Sequence, residues 1–368
     1  MKKIAIITLH DVNNYGSVLQ TYATQCYFED MGMDPIIIDY RRPWETRFGY
    51  WFYMNEKNLM GLVRNIVYFP TKIIQRGVFQ RFRKVHLKLT AQTYSNEKEL
   101  KKNPIEADFF CTGSDQVWNS GWNEGVIPAY FLNFVEKKAL KFSFAASFGS
   151  SRISTQDANK IKYYLETYEL VTVREKQSVD MLRDDLKIQA VEILDPTLQI
   201  EGEFWKSLCR PERYLREKYV LLIQLNRNKT FDNLAVCFAK KHKMRLVRLC
   251  LRVDQLILNG KCILIPEVED YIRLIRDAEY VLTDSFHAVS FCLNLEKQFY
   301  VYYPEKYSER LKSILSIVNL KDRELQSLEK EADIDYKKVQ EIIKNKRIHD
   351  RNIITGMVVS QKTPQSNS

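Results

Sequence analysis

Within its C-terminal third the sequence sets a short apolar, β-favouring run that ends in polar residues directly before an amphipathic helix, and this unit limits the folds open to it. Tyr280, Val281, Leu282 and Thr283 suit a buried parallel strand. Asp284 and Ser285 follow, both good helix N-caps. His287, Val289, Ser290, Phe291 and Leu293 read as the helix they cap. The unit gathers a hydroxyl, a carboxylate, an imidazole and unpaired backbone N–H groups at the C-terminal end of a strand. In open α/β sheets that edge binds ligands, and a helix N-terminus there favours anions. The same residues taken alone also read as a plain capped helix with His287 packed against it.

The pattern recurs along the chain. Residues 1–40 read as a β-loop-α-β unit, with strands at 4–9 and 35–39 and a helix over 17–31. The loop after the first strand offers Asn14 and a lone Gly16, and Gly-x-Gly-x-x-Gly is absent. A strand over 107–112 ends in Gly113-Ser114-Asp115-Gln116-Val117-Trp118-Asn119. Another over 140–145 runs into Ala146-Ser147-Phe148-Gly149-Ser150. The strand over 169–173 delivers Arg174, which reads either as a ligand group or as a salt-bridge partner of Glu175 or Asp195. A polar stretch with Pro211 then precedes a second set of strands and helices. The alternation predicts an α/β protein of two Rossmann-like domains facing a cleft. Their expected bounds are 1–200, with an insertion at 41–100, and 218–305, joined by a linker at 201–217. Closing helices over 306–348 and a flexible tail over 349–368 complete the expectation.

Length and charge refine this. A chain of 368 residues is long for one core, which favours two domains. No apolar run approaches the ~20 residues that cross a bilayer, and the apolar run at 4–9 is too short for a secretory leader. Seven scattered cysteines without a Cys-x-x-Cys pair, and five scattered histidines, argue against a zinc site and for reduced thiols in the cytoplasm. The net charge of +10 is local: residues 41–88 hold eleven Lys/Arg against Glu45 and Glu56. Trp44, Phe48, Tyr50, Trp51, Phe52, Tyr53, Tyr68, Phe69, Phe79 and Phe82 interleave with them. That mixture suits an anionic membrane surface at the inner face, or a helical lid whose aromatics pack inward. No nucleic-acid motif accompanies it, so no nucleic acid is expected as partner.

Asn14, Gly16, Asp115 and Arg174 from the front half and Asp284, Ser285 and His287 from the back half therefore suit a cleft for an anionic, phosphate- or carboxylate-bearing substrate. The imidazole supplies an acid or base. Residue chemistry alone does not choose the group transferred.

Five ordered motifs do narrow it. They are Asn14-Tyr15-Gly16 with Leu19-Gln20, Gly113 to Asn119, Val173-Arg174-Glu175 with Ser178, Leu194-Asp195-Pro196-Thr197-Leu198, and Thr283-Asp284-Ser285-Phe286-His287. Together they resemble the polysaccharide pyruvyl transferase family over roughly residues 1–305. The resemblance implies a glycosyltransferase-B-like fold. It also implies transfer of a pyruvyl group from phosphoenolpyruvate to two hydroxyls of a surface glycan or its lipid-linked precursor, giving a cyclic ketal. Phosphoenolpyruvate is then the donor substrate, with no cofactor and no metal. The family's donor-binding arginine corresponds to Arg174 and its histidine to His287; in the mechanism this suggests, Asp115 is expected to orient an acceptor hydroxyl. Better-studied members carry Arg-Leu-His where this chain has Ser285-Phe286-His287. A serine cannot make the bidentate contact of an arginine, so either another cation, with Arg227, Lys229 and Arg276 as candidates, replaces it, or the donor is held differently, or the donor or the activity has changed. A nucleotide-sugar glycosyltransferase and a non-catalytic glycan-assembly protein are the alternative readings.

Overall fold

A computed structural model describes residues 1–42, 59–150, 152–303, 308–325 and 332–360, with the backbone alone at 59–68 and 360. The front half runs β1 (Lys3–Ile7), α1 (Tyr15–Asp30), β2 (Asp34–Ile37), α2 (Leu59–His86), α3 (Glu97–Lys102), β3 (Phe109–Thr112) and β4 (Leu140–Ser143). It continues through α4 (Thr155–Leu165), β5 (Thr172–Val173), α5 (Lys176–Met181) and β6 (Val191–Glu192). The strands pair in parallel in the order β2-β1-β3-β4. Single parallel bridges at Phe142–Leu170 and Ala146–Val173 carry that order on to β5-β6. Ile4 to Ile7 are fully buried, as expected of a parallel strand covered on both faces.

After the short α6 (Pro196–Gln199) and α7 (Gly202–Ser207) comes the second sheet. It holds β7 (Tyr219–Ile223), β8 (Arg245–Cys250), β9 (Lys261–Leu264), β10 (Tyr280–Thr283) and β11 (Gln298–Val301), all parallel in the order β11-β10-β7-β8-β9. Helices α8 (Lys229–Lys241), α9 (Val268–Asp277) and α10 (Phe286–Asn294) connect them, followed by α11 (Ser308–Ile317) and α12 (Tyr336–Ser360). Each sheet reverses its strand order once, between β1 and β3 in the first and between β7 and β10 in the second. Those switch points are where open α/β sheets hold ligands. The expected α/β architecture of two Rossmann-like domains is the one observed.

The halves are fused. Tyr15 on α1 stacks on Tyr271 of α9 at 4.5 Å and donates its hydroxyl to the Pro266 carbonyl at 2.6 Å. A single apolar cluster runs from Val18 and Leu19 through Phe79 and Phe82 to Phe291 and Val301. Two expectations change in detail. The stretch read as a polar linker begins with α7, whose Trp205 is completely buried against Phe291. The chain from 349 to 360 is helix rather than flexible tail. Helix α12 packs Val339 and Ile343 on the second domain, then Ile354 and Met357 on the first, against Ile4, Ile6 and Phe28. Asp350 is the polar tie on this crossing: it accepts hydrogen bonds from the Leu194 N–H and the Gln199 amide, both at 2.8 Å. Residues 361–368 lie outside the described residues.

The insertion places α2 across both domains. Val78, Phe79 and Phe82 are buried, Arg81 and His86 pair with Glu267 and Glu269 of the second domain, and buried Arg83 pairs with Asp11 at 3.0 Å. Several of the basic residues thus serve packing. Phe69, Ile73 and Ile74 instead face outward. The aromatics at 44–53 lie outside the described residues.

Candidate active site

The first switch point is built by α1 and the loop after β3. Asn14 caps α1, its side-chain oxygen accepting from the backbone N–H of Gly16 at 2.8 Å and of Ser17 at 3.3 Å. Ser17 in turn donates its hydroxyl to Asp115 at 2.5 Å. Asp115 sits at φ 74°, the left-handed region that side chains rarely adopt. Backbone strain of this kind costs ~1–3 kcal/mol and is held only where surroundings impose it, as they do at functional sites. Here the Gln116 N–H and the Ser17 hydroxyl fix the carboxylate on both oxygens.

Across the cleft stands the β10–α10 unit. Ser285 caps α10, its hydroxyl accepting a long 3.4 Å bond from the Ala288 N–H. Asp284 accepts from the N–H groups of Leu225 at 2.7 Å and Asn226 at 2.9 Å, tying the loop after β7 to the loop after β10. Burial raises the Asp284 pKa against those hydrogen bonds. The N-termini of α1 and α10 meet at this point. A Cβ on Gly16 would run into the His287 ring, so glycine is what allows the two domains to close on each other here.

His287 and Arg174 converge on one carboxylate. Asp195 Oδ2 lies 2.8 Å from Arg174 Nη1 and 3.8 Å from His287 Nε2. Asp195 also caps α6 through Thr197 and accepts from the Ser114 hydroxyl at 3.0 Å. Arg174 further reaches Glu175 at 3.2 Å and stops 3.9 Å short of Asp115. On these two side chains, Arg174 Nη2 and His287 Nε2 are buried without a hydrogen bond.

Charge follows from this packing. Burial alone would raise Asp115 and Asp195, but the charges of His287 and Arg174 outweigh it and hold both carboxyls below their ordinary 3.8. Burial holds His287 below its ordinary 6.5, against the upward pull of Asp195 and Asp115. His287 helps the carboxylates only as imidazolium, whereas Arg174 is cationic throughout and is their constant counter-charge. At neutral pH the set is two carboxylates, a guanidinium and a neutral imidazole.

A cavity of about 140 Å³ connects these groups, lined by Asn14, Ser17, Asp115, Asp284, Ser285 and His287 together with Arg310. Arg174 lies behind it, wholly buried, with its guanidinium 4.4 Å from the Phe286 ring centroid. Of the three candidate cations for the place of the family arginine, none lines this cavity. Arg276 holds Asp277 and the carbonyls of Arg210 and Glu212, Arg227 pairs with Asp254, and Lys229 opens α8. Among the described lining residues the guanidinium is that of Arg310, whose charge acts on both Asp115 and His287. Nothing local in the sequence marks it: it lies in the first turn of an ordinary amphipathic helix, and only the packing of α11 over the cleft brings it in.

Comparison with known proteins agrees with this architecture. A crystal structure of a UDP-N-acetylglucosamine 2-epimerase superposes with a TM-score of 0.53 at 9% identity, covering 100% of this chain and 98% of that one. A Listeria monocytogenes protein assigned as a UDP-N-acetylglucosamine 2-epimerase gives 0.51 at 11% identity, over 95% and 89%. At such identities the likeness speaks for the glycosyltransferase-B-like fold alone. None of the curated proteins compared matches the sequence. The profile of the family described as polysaccharide pyruvyl transferase matches residues 14–306, a span that holds Asn14, Asp115, Arg174, Asp195 and the whole β10–α10 unit. The chain belongs to the polysaccharide pyruvyl transferase family.

Proposed function

We propose that this protein transfers the pyruvyl group of phosphoenolpyruvate to two hydroxyls of a glycan, forming a cyclic ketal. The observation that carries the reading is His287 Nε2, buried, unpaired and 3.8 Å from a carboxylate, in a cavity that also presents a guanidinium. Burial keeps the imidazole neutral at rest, which fits a proton shuttle. In this scheme His287 relays the proton of the first sugar hydroxyl to C3 of the donor, turning the methylene into a methyl, and the sugar oxygen bonds to the oxocarbenium-like C2 so formed. Asp195 and Asp115 stabilise the transient imidazolium. The C2–O bond to phosphate breaks next, the second hydroxyl closes the ring on C2, and its proton leaves with the phosphate.

Arg310 and the α10 N-terminus hold the donor phosphate and carboxylate in place of the family arginine. Arg174 acts from behind Phe286, neutralising the carboxylates that face the imidazole. Asp115 orients an acceptor hydroxyl. The test is phosphate release from phosphoenolpyruvate with total cell glycan as acceptor, run beside a panel of nucleotide sugars. Release that disappears in His287→Asn supports the scheme. Binding of a nucleotide sugar with no phosphoenolpyruvate turnover supports the glycosyltransferase reading, and silence with every donor the assembly-protein reading.

A membrane contact is part of the same proposal. Among the described residues no helix is long and apolar enough to span a bilayer. Phe69, Ile73 and Ile74 of α2 are exposed, and so are Leu256, Ile257 and Leu258 on the neighbouring single turn Val253–Ile257 and just after it. The two segments touch through a hydrogen bond from the Gln75 amide to the Leu251 carbonyl at 2.8 Å. Apolar side chains beside a strongly basic helix suit an anionic lipid interface. Vesicles containing phosphatidylglycerol should sediment the protein at low salt, and Ile73→Glu with Ile257→Glu should abolish this; unaltered sedimentation removes the contact.

A further inference from the structure

The active-site cavity does not end at the reacting groups. Arg310 also lines a second cavity of about 470 Å³, walled by Trp118, Phe148 and Gly149 from the first domain and by Glu309 of α11. Gln177 and Glu309, which line that one, also line a third of about 540 Å³, where Tyr303, Lys312 and Ser316 are presented. The Gln177 amide donates to the Glu309 carboxylate at 2.5 Å and so spans the trough from α5 to α11. Three recesses therefore succeed one another along one helix, starting at His287, each sharing a wall with the next.

The chemistry of these walls is mixed in a particular way. Apolar groups of Trp118, Phe148, Ile153 and Tyr303 alternate with amides, carboxylates, a guanidinium and hydroxyls. Sugars present apolar ring faces edged with hydroxyls that donate and accept, and such walls match them. A cavity of the second one's size falls within the ~300–1,000 Å³ of ordinary ligand sites. It exceeds what the small donor needs, given that the donor's reacting groups are already served by the first recess.

We infer that α11 forms one wall of an acceptor groove that binds sugar units flanking the modified residue, so the protein engages its acceptor as a chain. The donor end is the His287–Arg310 recess. The next unit lies against Trp118 and Phe148, and the units beyond it pass the Gln177–Glu309 contact towards Tyr303 and Ser316. That contact opens when a chain threads beneath it. This assignment rests on the glycan-acceptor reading above, but chain binding needs no donor and is measured separately.

The experiment titrates the full-length protein, without phosphoenolpyruvate, with mono-, di- and tetrasaccharide fractions from a partial acid hydrolysate of the producing cell's surface polysaccharide. Calorimetry gives the affinities. Affinity should rise by about tenfold or more from mono- to tetrasaccharide, as expected when further units make further contacts. Ser316→Trp, an exposed position on α11, fills the third recess and should bring the tetra- to disaccharide ratio close to one. Gln177→Ala should change the same ratio through the strap. Thermal melting checks that both variants are folded. Equal affinity for all fractions, no binding of any fraction, or a ratio unmoved by Ser316→Trp overturns the groove. Length-dependent binding without phosphate release keeps the groove and defeats the transfer scheme; release without length dependence does the reverse.

Discussion

Replacing Gly16 by alanine tests how closely the two domains must approach for the site to exist. The added Cβ would overlap the His287 ring at Nδ1, Cγ and Cε1. That ring is buried, so it cannot swing into solvent without leaving its place beside Asp195. Two responses are open: the imidazole turns aside, or the α1 N-terminus backs away and takes Asn14 and Ser17 with it. Overpacking of this kind costs ~1–3 kcal/mol. Alanine in the first turn of α1 returns ~0.5–1 kcal/mol in backbone entropy, leaving a net loss of at most about 2.5 kcal/mol. In a chain this long that lowers Tm by only about 2–4 °C. The effect on chemistry is far larger, because displacing a proton-transferring group by about 1 Å costs roughly 10²-fold. The assay is phosphate release from phosphoenolpyruvate with a glycan acceptor, with Tm measured on the same sample. Near-normal Tm with activity down about a hundredfold is the expected pair. Wild-type activity with the His287 ring unmoved in a crystal structure of the variant would refute the argument, since the overlap would then have been absorbed elsewhere.

Further outcomes follow from other residues. Gly356, exposed inside α12 with nothing within 4 Å of an added Cβ, is the contrasting glycine: Gly356→Ala should stabilise by ~0.5–1 kcal/mol with activity unchanged, read by denaturant unfolding. Arg174→Met leaves Asp115, Glu175 and Asp195 buried without their counter-charge and should cost ~3–5 kcal/mol; adding Asp195→Asn should recover part of it, and a neutral single variant would contradict the assignment. His287→Ala should lower turnover by ~10²–10⁴-fold while the protein stays folded by circular dichroism. Because burial holds His287 below 6.5, kcat/KM should be flat above that pH and fall as pH drops through the lower folded value. Stability moves the same way, since the unfolded chain takes up this proton first, and a further loss should appear below pH 3.8 as Asp115 and Asp195 are protonated. A profile that instead rises towards acid would show that imidazolium, rather than imidazole, is the working form.

Local sequence determined a good deal of this molecule. Periodicity and β-branched runs located the strands, because a parallel strand buried on both faces needs apolar residues whatever its neighbours are. Asp284 and Ser285 marked the start of α10, because capping is satisfied within four residues of chain. The polar residues that cluster just after strands identified the cleft edge, and five such clusters in order identified the family. Chain order alone could not say that α12 would run back across both domains. Its second half carries the few apolar residues, Ile354 and Met357, that the first sheet's outer layer lacked, and that demand is visible only once the sheet is built. Nor could it place Arg310, which entered the site through the packing of a helix with no marker of its own. Gly16 was legible as a glycine in a loop. Its necessity came from the His287 ring contributed by a helix some 270 residues away. Arg174 shows the same division: a guanidinium at a strand end was readable, but its burial behind Phe286 depended on how the second domain closed over it. Secondary structure and caps answer to neighbours in the chain, whereas the charge, orientation and company of a catalytic group answer to neighbours in space.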